Sequence, residues 1–183
     1  MTSCKFSYPM IENWVFAAGL LQATLGGVRV GGQFRKESGA FWLGIREPAA
    51  RVSAVVFPRG PGVKEAPGFW RVSPEVFGAV TRWAVPLGLC LLGVVHTHVG
   101  NTAPFLSWTD RRFGVRVPGV LAIVLLKGGK DGNHLNWGWY LFDHDEYREL
   151  SGSELRRRLI IDSTMDFATL CADEYDVRPE RVK

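Results

Sequence analysis

Hydrophobic positions recur at helical spacing near the start of the chain: Ile11, Trp14, Val15, Ala18, Leu21 and Leu25 share one face with the polar Gln22. The pattern predicts a helix over residues 11–25, ended by Gly26-Gly27 and a glycine-rich stretch to Gly32. Apolar runs over 40–45 and 52–57 predict strands, and the proline and glycine density between 58 and 69 predicts a loop, a candidate lid. Ser73-Pro74-Glu75 supplies a hydroxyl cap, a proline at the first helical position and an acid in the first turn. Val76, Phe77, Val80, Trp83 and Ala84 then form an apolar stripe, and Pro86 stops that helix. The unbroken run 91–95 predicts a central strand buried on both faces. Ser107-Trp-Thr-Asp110 is another helix start, and 120–126 and 137–142 predict two strands joined through a segment rich in Gly and Asn. A last helix is predicted over 153–161. The order helix, strands, helix, strands, helix, without repeats or linkers, implies an α+β or α/β sandwich: one domain over 1–162, with 163–183 as a polar tail.

Composition narrows this little. A chain of 183 residues with 46% hydrophobic and 22% charged positions can bury a core and is outside the disordered class. The net charge of +4 is small, and its clusters, Arg111-Arg112 and Arg156 to Arg158, read as solvated helix faces, so no nucleic-acid partner is expected. Three cysteines, Cys4, Cys90 and Cys171, are odd in number and widely spaced, which excludes a disulfide framework and fits a reducing, cytoplasmic setting. Two apolar segments, 14–25 and 85–95, read as core elements. The first has a thin basic lead for a signal peptide and the second is too short to span a bilayer, so no membrane association is expected.

The chemistry lies in Gly93-Val-Val-His96-Thr-His98. Side chains two apart on a strand point the same way, so His96 and His98 can converge on one ion at the rim of the core while Thr97 faces away. Asp110 is the natural third ligand, presented from the first turn of the next helix. Two imidazoles and a carboxylate suit Zn²⁺ with a fourth position open. The blander reading is two histidines at a strand end and a plain capping box in Ser107-x-x-Asp110. Capping would also position the carboxylate, so the two readings are compatible.

His96-Thr-His98 followed by Ser107-x-x-Asp110 resembles the motif of the JAMM (JAB/MPN) family of zinc metalloproteases. That family places a glutamate upstream in a pattern resembled here by Glu37-Ser-Gly39-Ala-Phe-Trp-Leu43-Gly44. The likeness covers about residues 10–145. It departs in two places: the segment between His98 and Ser107 is one residue longer than usual, and Val99 stands where a proline often follows the second histidine. The resemblance implies a JAB/MPN fold of the cytidine-deaminase-like kind, with a central mixed sheet flanked by helices. It implies one Zn²⁺ per chain on His96, His98 and Asp110, with Glu37 as general base and acid and Ser107 as oxyanion donor. It further implies cleavage after the C-terminal glycine of a ubiquitin-like protein or its conjugate. The small size is similar to bacterial members encoded beside E1- and E2-like proteins, some in antiphage defence operons, and such proteins are the implied partners. Two alternatives share the fold: a hydrolase acting on a sulfur-carrier conjugate, and a non-catalytic scaffold. His134 and His144 read as surface histidines, with no second zinc expected. Trp42, Trp70 and Trp108 flank the motif segments as candidates for a substrate groove, Trp42 fitting the core better.

Overall fold

The first element is a strand, where the spacing predicts a helix. The computed structural model describes residues 10–100 and 103–180, with the backbone alone for 31–33. In chain order the elements are β1 (Asn13–Ala17), α1 (Leu20–Gln33), β2 (Gly39–Ile45), β3 (Ala49–Pro58), β4 (Val63–Ala66), β5 (Phe69–Val72) and α2 (Pro74–Ala84), which runs into a 3₁₀ turn (Val85–Leu87). There follow β6 (Cys90–Thr97), α3 (Trp108–Phe113), β7 (Leu121–Leu125), a 3₁₀ turn (His134–Asn136), β8 (Gly138–Asp143), β9 (Glu146–Glu149), α4 (Gly152–Arg158), β10 (Leu159–Asp162), β11 (Ala168–Ala172) and β12 (Val177–Pro179).

One mixed sheet organises them, in the order β10-β1-β3-β2-β6-β7-β8-β9. Pairings β1/β10, β1/β3 and β6/β7 are parallel, whereas β2/β3, β2/β6, β7/β8 and β8/β9 are antiparallel. Its two faces follow from the period-2 alternation of strands. Trp42, Val95 and Ile123 face one way, onto Leu21, Leu25 and Val28 of α1 and Leu155 of α4. Phe41, Leu43 and Val56 face the other, onto Val76 and Val80 of α2. On that second face Leu106, just before α3, packs with Ala122, Val124, Tyr140, Phe142 and Tyr147. Each large apolar side chain so enclosed contributes about 1.5–3 kcal/mol relative to exposure. The result is an α+β arrangement, a mixed sheet between helices, as the sequence implies.

Several local expectations are corrected. In residues 11–25, Trp14 and Phe16 are buried in strand alternation, and Gly19, at φ 86°, breaks the chain before α1 begins. Gly26-Gly27 lies inside that helix. A Cβ on Gly27 would stand 2.2 Å from the Phe57 ring, so the glycine serves close packing of α1 on β3 and does not terminate the helix. The loop expected over 58–69 holds β4 and leads into an antiparallel β4–β5 hairpin. The last helix starts at Gly152, capped by Ser151, and ends at Arg158, giving way to β10. Residues 168–179, expected within a polar tail, add β11 alongside β3 in parallel, with β12 antiparallel to β11. No helix among the described residues is long and apolar enough to cross a membrane. Cys4 lies outside the described residues.

Candidate metal centre

Strand register brings the motif residues together. β2 and β6 run antiparallel with Gly39 opposite His96. Carried on past the strand end, the same register sets Glu37 opposite His98, and cross-strand partners in a sheet point to the same face. The continuation is held: Thr97 N–H donates to the Ser38 carbonyl at 2.9 Å. Ser38 N–H donates back to Thr97 Oγ1 at 3.0 Å, and Ser38 Oγ donates to the Val28 carbonyl at 2.6 Å. A glycine is required at 39 because a Cβ there would stand 2.5 Å from the Val95 carbonyl oxygen and 2.8 Å from the Trp70 ring.

The carboxylate arrives from the other side. Leu106 is buried beneath the chain leading into α3, and the Pro104 carbonyl accepts from Tyr140 Oη at 2.9 Å. That carbonyl occupies the place a side chain on Gly138 would fill, at 1.9 Å from its Cβ position. Ser107 then caps α3 reciprocally with Asp110. Asp110 N–H donates to Ser107 Oγ at 3.1 Å, and Ser107 N–H donates to Asp110 Oδ2 at 2.8 Å. The capping box predicted from sequence is therefore present, and it orients the carboxylate at the same time.

The three side chains meet. His96 Nε2 and His98 Nε2 are 3.1 Å apart, and each stands 3.3 Å from an Asp110 oxygen, Oδ1 for His96 and Oδ2 for His98. Among the described residues this is the trio of His, Cys, Asp or Glu side chains whose ligand atoms gather within 4.8 Å. A tetrahedral Zn²⁺ with bonds of about 2.0 Å has ligand-to-ligand edges of about 3.3 Å, so the spacing is that of donors around one small cation. His134 and His144 lie elsewhere, His134 in the 3₁₀ turn and His144 exposed beside Asp143.

Charge in the site favours a cation too. Burial opposes the charged form of Asp110, yet hydrogen bonds with His96, His98 and Ser107 hold it well below the usual carboxylate range. Burial likewise opposes a charged His98, but Asp110 and the charge of Glu37 raise its pKa. Glu37 shifts opposite to Asp110. Burial pushes its carboxyl up, helped by Asp110, against the imidazoles of His98 and His96 and a hydrogen bond from the Val99 backbone. It is buried to the same 7% exposure as His96, which raises its affinity for a proton. The residues present fit a bound divalent metal: two imidazoles, one ordered carboxylate, and a second carboxyl nearby that is not needed as a ligand.

Three features were beyond sequence reasoning: the Val99 N–H on Glu37, the Ala66 carbonyl that accepts from Glu37 N–H at 3.1 Å, and the Phe105 ring set edge-on to His98. All depend on how loops return to the strand end, for which the sequence carries no periodic signal. Of the tryptophans, Trp42 is fully buried, Trp70 packs over Gly39, and Trp108 is exposed.

No protein-family model matches the chain, and no curated protein does. Among solved structures, the chain is similar to the solution structure of a protein from Desulfitobacterium hafniense at 15% identity and a TM-score of 0.56, over 81% of this chain and 92% of that one. It also aligns with a JAB1/MPN domain protein from Archaeoglobus fulgidus at 16% identity and a TM-score of 0.42, over 85% of this chain and 100% of that one. At these identities the first likeness speaks to the fold alone, and the second superposition is too loose to support an argument.

Proposed function

We propose that this protein is a zinc-dependent isopeptidase or processing protease of the JAMM type, acting after the C-terminal glycine of a ubiquitin-like protein. The observation that carries the reading is the convergence of His96, His98 and Asp110 at 3.1–3.3 Å beside a buried Glu37. His96, His98 and Asp110 would hold the ion, which when bound polarises a carbonyl and acidifies water. Glu37, its affinity for protons raised by burial, accepts a proton from the attacking water and returns it to the leaving amine. Ser107 Oγ accepts from Asp110 N–H, which leaves its own proton to donate to an oxyanion. Bacterial E1- and E2-like proteins are the partners this reading calls for.

Treating the purified protein with a chelator should abolish cleavage of a fluorogenic amide placed after the terminal glycine of a ubiquitin-like protein, and zinc should restore it. Cleavage that survives complete metal removal would overturn the reading. Ser107 permits a finer test, because its cap and its hydroxyl donor are separable. Ser107→Ala should cost about 1 kcal/mol of stability through the lost cap and slow turnover about a hundred- to a thousandfold. Ser107→Gly, which an N-cap tolerates at a cost of only a few tenths of a kcal/mol, should recover most of the stability in a thermal melt without recovering the rate. A Gly variant as fast as wild type would remove the hydroxyl from the mechanism.

A further inference from the structure

The segment leading into α3, and α3 itself, carry an unusual surface. Phe105 is 50% exposed, Trp108 68% and Phe113 71%. Phe105, three residues before Trp108 in the chain, lies at the metal centre itself, its ring edge-on to His98 with centroids 6.1 Å apart. Trp108 and Phe113 lie edge to face at 6.4 Å. The Arg112 guanidinium is held between them, 4.9 Å from the Trp108 ring and 5.5 Å from the Phe113 ring. Clustered exposed aromatics are uncommon on surfaces that face only water, and Trp and Arg are the residue types that anchor protein interfaces.

The charge of the patch says what fits it. Residues 103–118 contain Arg111, Arg112 and Arg116 against a single acid, Asp110, whose carboxylate is engaged by the imidazoles. Arg111, though exposed, donates to the Tyr147 carbonyl at 3.2 Å and lies over the Tyr140 ring, and the exposed Arg116 donates to the Arg111 carbonyl at 2.9 Å. All three arginines are exposed, but Arg112 is the one whose planar fork is set in place by the Trp108 and Phe113 rings. One oriented guanidinium among aromatic rings suits a carboxylate next to apolar side chains. A phosphodiester chain would call for a row of cations free to meet successive phosphates, whereas Arg111 and Arg116, though exposed, are each tied to a backbone carbonyl.

We propose that Phe105, Trp108, Arg112 and Phe113 form a docking surface for an acidic, apolar segment of a partner protein, which it seats beside the metal centre. Recognition at this face does not depend on the hydrolytic reading. The test uses the full chain and short fluorescent peptides in which Leu and Phe are flanked by Asp and Glu, by Asn and Gln, or by Lys. In fluorescence anisotropy the acidic peptide should bind at least about tenfold more tightly than the amide version, and the Lys version should not bind. Trp108→Ala and Arg112→Glu should each lose about tenfold or more, while Trp108→Phe loses less. Metal content measured in the same samples should be unchanged, which separates this proposal from the proposed function. Both positions are exposed, so the variants are expected to melt like wild type. Equal binding of the three peptides, no binding of any, or no response to the substitutions would overturn the proposal. So would displacement of the acidic peptide by a single-stranded oligonucleotide, which would make this a nucleic-acid surface.

Discussion

Glu37→Gln is expected to lower turnover of a glycine-terminal conjugate about a hundred- to ten-thousandfold while metal content stays at the wild-type level. The substitution keeps shape and leaves a carbonyl oxygen able to accept the Val99 hydrogen bond, but the amide has no affinity for the proton that water must give up. Folding should not suffer, because a carboxyl whose pKa burial raises is a charge the folded state tolerates poorly, and an uncharged amide relieves that cost. The pair of readouts is what gives the test its force. Loss of rate together with loss of metal would place Glu37 among the ligands, and undiminished rate would remove it from the chemistry altogether.

The largest effect expected on stability comes from the opposite face of the sheet. Trp42 is fully buried, with its ring 4.9 Å from Phe16 and 5.7 Å from Trp139, and its Nε1–H donates to Thr24 Oγ1 at 2.9 Å. Gly93, on the neighbouring strand, leaves the room it occupies, since a Cβ there would stand 2.8 Å from the indole. Trp42→Ala should therefore cost about 3–5 kcal/mol, the usual price of emptying a large aromatic site in a rigid core. That is a large part of the 5–15 kcal/mol typical of a domain, so the midpoint of denaturant unfolding should fall sharply. A loss below about 1 kcal/mol would mean that the α1 face of the sheet is not packed around this ring. Because Trp42 and the metal ligands lie on opposite faces, any folded Trp42→Ala protein should still bind metal.

The same contrast between faces shows what was legible in the sequence. The site was readable because it obeys strand periodicity: His96 and His98 are two apart, and Ser107 announces α3 by its capping chemistry. The β2 to β6 register that sets Glu37 against His98 has no signal in the sequence, and it is the structure that shows why a glycine at 39 permits the close approach. The opening strand was misread because Trp14, Leu21 and Leu25 fall at helical spacing across a break that only Gly19 marks. The β4–β5 hairpin was hidden by its glycines and prolines, which signal turns without saying whether strands run between them. Residues 168–179 look polar because β11 and β12 are short strands at the margin of the sheet, with few positions to bury: Leu170, Ala172 and Val177.

The central claim is that His96, His98 and Asp110 hold a metal, and elemental analysis tests it most directly. Protein purified without a histidine tag should carry about one zinc per chain, and His98→Ala, prepared alongside, should carry almost none while keeping its fold by circular dichroism. Wild-type protein that holds no metal, even after zinc is added back and excess removed, would contradict the account.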